Sequence, residues 1–133
     1  MISFYICGEP APQGSKTAFV RGRRAVLVET SKKLPAWRKQ IEDTARREYE
    51  GEPIDRPVRV AVDFFMPKPQ KPRFEWPATA PDLDKLQRAI GDGLEKGGVL
   101  KNDSRIVEWV ARKHYADTPD DQGVRVAIEH LGD

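Results

Sequence analysis

Cysteine and long apolar runs are scarce in this sequence, and each shortage excludes a class of protein. Cys7 is the only cysteine, so no disulfide can form within the chain, which indicates a reducing compartment. No apolar run approaches the ~18 residues needed to cross a bilayer. The first residues lack the charged start and the long apolar stretch of a signal peptide. We therefore expect a soluble cytoplasmic protein that makes no membrane contact.

Histidine is also scarce, with two residues, and this disfavours two kinds of catalytic site. His114 and His130 lie on separate predicted strands without a cysteine partner, so neither a zinc site nor a Ser-His-Asp triad is expected. Two loop motifs also fail. "GSKT" at 14–17 lacks the spacing of a phosphate-binding loop. A calcium loop starting at Asp82 would place Gln87 where that loop requires glycine.

The sequence does contain enough apolar residues for the core of one domain. The 133 residues are 38% hydrophobic and 33% charged, which is typical of a globular protein rather than a disordered segment. We predict a single domain over residues 1–133. Strands mixed with two main helices indicate the α+β class, with a mixed β-sheet packed against the two helices.

Alternating apolar residues predict the strands. The strictest alternation runs through residues 57–66, where every second side chain is apolar. Short apolar runs on either side of Gly22 predict a β-hairpin with a basic tip. Three further strands are predicted, over 2–7, near 106–115 and over 124–128.

Two stretches have apolar residues at helical spacing. The first predicts a helix that begins at an N-cap at Thr30 or Ser31 and ends near Tyr49. The second predicts a helix that begins after Pro81 and ends at the glycine pair 97–98.

The net charge of +2 hides an uneven distribution of charge. Eight basic residues and one acidic residue, Glu29, lie between residues 14 and 39, whereas the stretch from Asp117 onward is acidic. Such asymmetry indicates a surface that faces a polyanion, and an unevenly charged solvated surface is the alternative. The predicted DNA-contacting residues are Lys16, Arg21, Arg23 and Arg24 in the hairpin and Lys68, Lys71 and Arg73 in the following loop.

That loop spans residues 67–81 and contains five prolines, which predicts an extended segment rather than a helix or strand. Its cations lie beside Phe74 and Trp76, a combination suited to contacting phosphates and stacking on bases. The alternative is a loop whose aromatic rings pack against the domain.

Three aspartates flank the second predicted helix and are the candidate metal ligands. Asp82 is expected at the N-cap, still extended, with Asp84 in the first turn, so that the two carboxylates can converge. Asp103 can join them only if the chain doubles straight back after the glycine pair. Carboxylates without histidine or thiolate favour Mg²⁺, with Mn²⁺ as a substitute. The alternative is that the acids only cap the helix and favour its dipole.

Arg88 follows Asp84 by one helical turn and therefore lies on the same side of the helix. A guanidinium there can stabilise the negative charge that develops on a phosphate during cleavage. The alternative is a surface ion-pair ladder of Asp84, Arg88 and Asp92.

The stretch "DLDKLQRAIGDGLEKGGVLKND" at 82–103 resembles the aspartate motif of the RusA family of Holliday-junction resolvases, which includes phage and prophage members. "PVRVAVDFFMP" and "GEPAPQGSK" resemble the preceding strand and the N-terminal loop of that family, so the similarity covers most of the chain. The resemblance implies a homodimeric, Mg²⁺-dependent endodeoxyribonuclease that resolves four-way DNA junctions by paired symmetrical nicks. It places the catalytic aspartates at Asp82, Asp84 and Asp103, and the basic catalytic residue at Arg88.

The basic catalytic position of this family is often lysine, and here it is Arg88. Arginine holds a phosphate through two hydrogen bonds but hardly exchanges a proton near neutral pH, which favours an electrostatic role. Two other functions remain open at this point. One is a non-catalytic module that binds branched DNA, and the other is a nuclease acting on flaps or forks.

Overall fold

A computed structural model of the chain describes residues 1–14, 16–21, 24–29 and 31–132, with side chains for 1–14 and 31–132. The predicted order of strands and helices is confirmed. The elements are β1 (Ile2–Cys7), β2 (Lys16–Arg21), β3 (Arg24–Glu29), α1 (Leu34–Glu48), β4 (Val58–Met66), α2 (Leu83–Lys96), β5 (Ile106–Tyr115) and β6 (Gly123–His130).

Strands β1, β6, β4 and β5 form a mixed sheet in that order. β6 pairs antiparallel with both β1 and β4, whereas β4 pairs parallel with β5. A parallel pair needs a long crossover, and the chain between β4 and β5 supplies it through α2. β2 and β3 form a separate antiparallel hairpin. The prediction of an α+β fold with a mixed sheet and two helices is confirmed.

The core lies between the sheet and the two helices. β4 buries every second residue, as the alternation predicted, and the buried set is Val58, Val60, Val62, Phe64 and Met66. The helices cover this face with Leu34 and Ile41 from α1 and with Leu86, Ile90 and Leu94 from α2, all fully buried. Within the described residues, neither helix is long and apolar enough to cross a membrane.

The start of α1 differs from the prediction. The helix begins at Leu34 with Lys33 at its N-cap, so the predicted N-cap at Ser31 is wrong, and Thr30 lies outside the described residues. Pro35 stands in the first turn, where the absent N–H is not needed and the fixed φ favours helix. Because proline favours the first turn, α1 begins later in the sequence than an N-cap at Ser31 would place it. The predicted end is confirmed, with Tyr49 as the C-cap.

Gly93 lies where the two helices approach each other closely, and its replacement is expected to destabilise the protein. A Cβ atom added at Gly93 would lie 2.9 Å from the Cβ of Ile41 on α1. Because backbone must move to relieve that overlap, Gly93→Ala should lower the free energy of unfolding by about 1–3 kcal/mol. Denaturant unfolding measures this loss.

Gly91→Ala is the matched control for this prediction because Gly91 lies in the same helix. A Cβ there meets its nearest side-chain atoms at ordinary contact distances of 3.6–3.8 Å. The better helix propensity of alanine should leave this variant as stable as the wild type, or more stable by up to about 1 kcal/mol. Equal stability of the two variants would contradict the close packing at Gly93.

Candidate active site

Helix α2 lies along the edge strand β5, and this seam carries the candidate site. Near its middle, Gly91 is in contact range of Ile106 and Trp109. At its start, the Nζ atom of Lys113 donates a 2.8 Å hydrogen bond to the carbonyl of Pro81. The helix therefore runs antiparallel to β5. The distance from residue 82 to residue 91 along the helix matches that from 113 to 109 along the strand, about 13 Å each.

One cavity in this seam brings together three of the four predicted catalytic residues. It has a volume of about 360 Å³ and contains Asp84, Arg88 and Asp103. Asp92, two turns after Asp84, also lines it and was not predicted as a site residue. The remaining lining residues are Gln13, Gln87, Gly91, Ile106 and Trp109.

The chain reversal that brings Asp103 to the helix is confirmed. Gly98 adopts a φ of 84°, a left-handed conformation that glycine accepts without strain, and the chain turns back there. The N–H groups of Val99 and Leu100 both bond the carbonyl of Leu94, at 2.9 and 3.2 Å. Asp103 then lies against Gly91, where an added Cβ would be 3.8 Å from its own Cβ.

Two side chains that sequence reasoning did not assign hold Asp103 in this position. The Oε1 atom of Glu95 accepts a 2.8 Å hydrogen bond from the backbone N–H of Asp103. The Oδ1 atom of Asn102 accepts one of 2.9 Å from the N–H of Ser104 and so caps the short turn at 103–105. The Asn-Asp-Ser sequence could have indicated this turn, since asparagine commonly caps such turns.

Asp82 lies at the N-cap of α2 as predicted, with extended backbone (φ −68°, ψ 140°), but its side chain does not cap the helix. The carboxylate is 64% exposed and lies 3.7 Å from the Nζ atom of Lys85. It lines a neighbouring cavity rather than the one that contains Asp84 and Asp103. The capping alternative is therefore not realised through this side chain, and the carboxylate is free of that role.

The donors at the site suit a hard cation. Among the described residues, no group of three or more His, Cys, Asp or Glu side chains is placed so that it could hold a metal ion. Mg²⁺ commonly needs only one or two protein carboxylates, because waters and substrate phosphates complete its shell. Asp84 and Asp103 in one cavity fit that requirement. A site that also includes Asp82 stays a prediction.

Arg88 does not belong to a surface ion-pair ladder. Asp92 pairs with Lys96 instead, at 3.1 Å, and within the described part of the chain no ion pair links Arg88 to Asp84 or Asp92. Its guanidinium lies beside the N-terminal loop, where a Cβ at Gly14 would be 2.7 Å from Nη1. Arg88 is thus an exposed cation that lines the same cavity as the two aspartates.

The neighbouring cavity has a volume of about 540 Å³ and lies between the N-terminal loop, the proline-rich loop and the start of α2. Its polar residues include Lys33, Lys85 and Lys113 besides Asp82. Burial lowers the pKa of Lys113, and the nearby Asp82 carboxylate partly opposes that effect. Of the four candidate catalytic residues, Asp82 lines this cavity and the other three line the first one.

The predicted DNA-contacting residues of the proline-rich loop are all exposed: Lys68, Lys71 and Arg73. The guanidinium of Arg73 lies 4.9 Å from the ring centroid of Phe74, which is 43% exposed. Trp76 is 57% exposed although one side of it meets the ring of His114, at 5.4 Å between centroids. The loop thus both packs an aromatic ring on the sheet and presents rings and cations to solvent.

The basic hairpin residues are only partly within the described structure. Lys16 and Arg21 lie on β2, and Arg24 begins β3. Arg23 lies outside the described residues. Contact of these four residues with DNA stays a prediction.

Comparison with known proteins identifies a family and two named relatives. The family described as Endodeoxyribonuclease RusA matches residues 8–129. The chain is 24% identical over 107 residues to a protein of Aquifex aeolicus (strain VF5) named crossover junction endodeoxyribonuclease RusA, over 80% of this chain and 75% of that one. It is 36% identical over 62 residues to a protein of the same name from Lactococcus phage r1t, over 46% of this chain and 47% of that one, so this match spans about half of the phage protein.

Proposed function

The chain belongs to the RusA family of endodeoxyribonucleases, and we propose that it resolves four-way DNA junctions by paired symmetrical nicks that require Mg²⁺. The observation that carries this proposal is the cavity in which Asp84, Arg88 and Asp103 meet, within the matched residues. An exposed cation beside two carboxylates is the arrangement expected where a hard metal ion and a phosphate meet.

We assign metal binding to Asp82, Asp84 and Asp103, with Mn²⁺ able to replace Mg²⁺. Asp84 and Asp103 share one cavity, and Asp82 precedes Asp84 by two residues with no capping bond to hold it away. Bound there, the ion would polarise the phosphodiester and activate an attacking water.

Arg88 serves in this proposal as an electrostatic group. It lines the same cavity as Asp84 and Asp103 and makes no ion pair to Asp84 or Asp92 among the described contacts, which leaves the guanidinium available to a phosphate. Two parallel N–H donors suit the oxygens of a phosphate in the transition state. Water, rather than Arg88, then transfers the proton.

DNA binding is assigned to the hairpin and to the proline-rich loop. Exposed lysine and arginine side chains release counterions from the phosphate backbone, which gives affinity without base specificity. The exposed rings of Phe74 and Trp76 add surface on which unpaired bases can stack.

Reversing the loop charges should weaken binding to DNA of every shape. For Lys68→Glu/Lys71→Glu we expect affinity to fall at least about tenfold at physiological salt, and the slope of log affinity against log salt to flatten by roughly two. Fluorescence anisotropy across a salt series measures both quantities.

The matched control reverses two exposed charges on α1, as Lys39→Glu/Arg47→Glu. These side chains lie on the outer surface of that helix, each more than half exposed. This variant should keep most of its affinity and its salt slope. If both double variants lose affinity equally, net charge rather than the loop drives binding.

Oligonucleotide substrates test the proposed function directly. Purified protein should nick a labelled four-way junction with Mg²⁺ and not with EDTA, and should leave a duplex of the same sequence intact. Comparable cleavage of a flap or a fork would favour a general structure-selective nuclease. Tight junction binding without cleavage in either Mg²⁺ or Mn²⁺ would favour a non-catalytic binding module.

A further inference from the structure

Lys113 is a half-buried lysine with an unusual set of partners. It lies on β5 four residues after Trp109, so both side chains lie on the face of the strand that α2 covers. Its Nζ atom donates two hydrogen bonds of 2.8 Å, to the carbonyls of Thr79 and Pro81. The ammonium therefore ties the strand to the segment that immediately precedes Asp82.

These two hydrogen bonds hold residues 79–81, a segment in which proline removes backbone donors. Pro77 and Pro81 have no N–H to donate, and the proline-rich loop that contains them forms neither helix nor strand. Asp82 is itself extended, and its side chain makes no capping hydrogen bond to the helix that follows, so its contact there is the 3.7 Å ion pair with Lys85. The position of its carboxylate thus depends on how the preceding carbonyls are held.

Partial burial makes the Lys113 ammonium a costly group with which to hold a loop. Burial disfavours its charged form and lowers the pKa of Lys113, while the nearby Asp82 carboxylate favours the charged form. A lysine whose pKa is perturbed beside a candidate catalytic acid is a candidate for a functional role, and the two hydrogen bonds indicate what that role is.

Lys85 offers a contrast on the same helix. Its Nζ atom also lies near Asp82, at 3.7 Å, but as the partner of a solvent-exposed carboxylate in an i,i+3 pair. Unlike Lys113, it holds no carbonyl of residues 79–81 through a hydrogen bond in the described structure. Comparing variants of the two lysines therefore distinguishes an effect of positioning Asp82 from an effect of positive charge near it.

We infer that Lys113 is a positioning residue of the nuclease site: by holding the carbonyls of Thr79 and Pro81, it places Asp82 for metal binding. This inference rests on the proposed function. Mutation of a group that orients a metal ligand without binding the metal itself commonly lowers metal affinity by about 10- to 100-fold. Lys113 should do so without contacting DNA.

The test compares Lys113→Met with Lys85→Met. Binding of Mn²⁺ to the DNA-free protein is measured by electron paramagnetic resonance, and the Mg²⁺ concentration for half-maximal junction cleavage is measured at saturating protein. Lys113→Met should weaken Mn²⁺ binding at least about tenfold and raise the Mg²⁺ requirement in parallel, with cleavage recovering at high Mg²⁺. Lys85→Met should stay within about threefold of the wild type in both measurements.

Thermal unfolding without metal accompanies each variant. If Lys113→Met does not fold, Lys113→Gln replaces it, because its neutral amide can still donate to one carbonyl, and the same direction of change is expected. Wild-type Mn²⁺ affinity in a folded Lys113 variant, or an equal loss in Lys85→Met, overturns the inference. If the wild-type protein neither binds Mn²⁺ nor cuts junctions, the proposed function itself fails.

Discussion

Replacing Asp84 by asparagine is expected to abolish junction cleavage while the protein keeps its fold and its affinity for junction DNA. Asparagine keeps the shape of the side chain but removes the charge that a hard cation requires. A loss of several kcal/mol of transition-state stabilisation lowers the cleavage rate by a factor of about 10³ or more. Because crowded carboxylates repel one another, the neutral side chain should preserve or raise the thermal midpoint. Single-turnover cleavage and anisotropy measure the two properties separately.

Asp103→Asn and Asp82→Asn should behave in the same way. Asp43→Asn on α1 is the matched control, since Asp43 is an exposed acid whose partners are Lys39 and Arg46 rather than residues of the site. That control should cut at nearly the wild-type rate. Wild-type cleavage by any one of the three site variants would remove that aspartate from the proposed site.

Mixed dimers should nick a single strand of the junction. Two symmetry-related cuts require two active sites that face the junction, and a closed two-fold dimer supplies them most simply. One protomer contains one cavity with both Asp84 and Asp103 among the described residues, so we propose a homodimer. Dimers with one wild-type and one Asp84→Asn subunit should produce a nicked junction and fewer than a tenth of the resolved duplexes that the wild type produces. Denaturing and native gels of the same reaction separate these products.

Wild-type and variant homodimers, carried through the same mixing procedure, are the controls for subunit exchange. The first should resolve the junction fully and the second should not cut it. Full resolution by a species that sedimentation identifies as a monomer on the junction would contradict the dimer.

Much of the fold could be predicted from local patterns. The alternation through β4 is strict because one face of that strand is buried along its whole length. The start of α2 could be predicted because Pro81 prevents an earlier start and Asp82 is a good N-cap residue. The turn back at Gly98 followed from a glycine pair at a helix end and from the reach of the chain.

The start of α1 was predicted wrongly because two local preferences compete there. Ser31 is a good N-cap residue, whereas Pro35 favours the first turn of a helix. Neither preference is strong enough to decide without the packing of Leu34, which is fully buried. The helix begins where that side chain reaches the core.

Site residues that depend on tertiary contacts could not be predicted from the sequence. Lys113 lies 31 positions after Asp82. Its side chain reaches the carbonyl of Pro81 only because β5 packs beside α2. Glu95 accepts a hydrogen bond from the N–H of Asp103, and this contact exists only because the chain turns back along α2. The placement of Asp82 in a separate cavity likewise depends on how α2 packs along β5.

A supercoiled plasmid that extrudes a cruciform tests the central claim most directly. Paired cuts by one bound enzyme convert the plasmid to linear DNA, whereas independent single cuts first accumulate nicked circles. With Mg²⁺, the wild-type protein should produce linear DNA as the main early product, only from plasmid with the cruciform, and the Asp84→Asn variant should leave that plasmid supercoiled. Equal cleavage of plasmid without the cruciform, or linear DNA formed by the Asp84→Asn variant, would contradict the account.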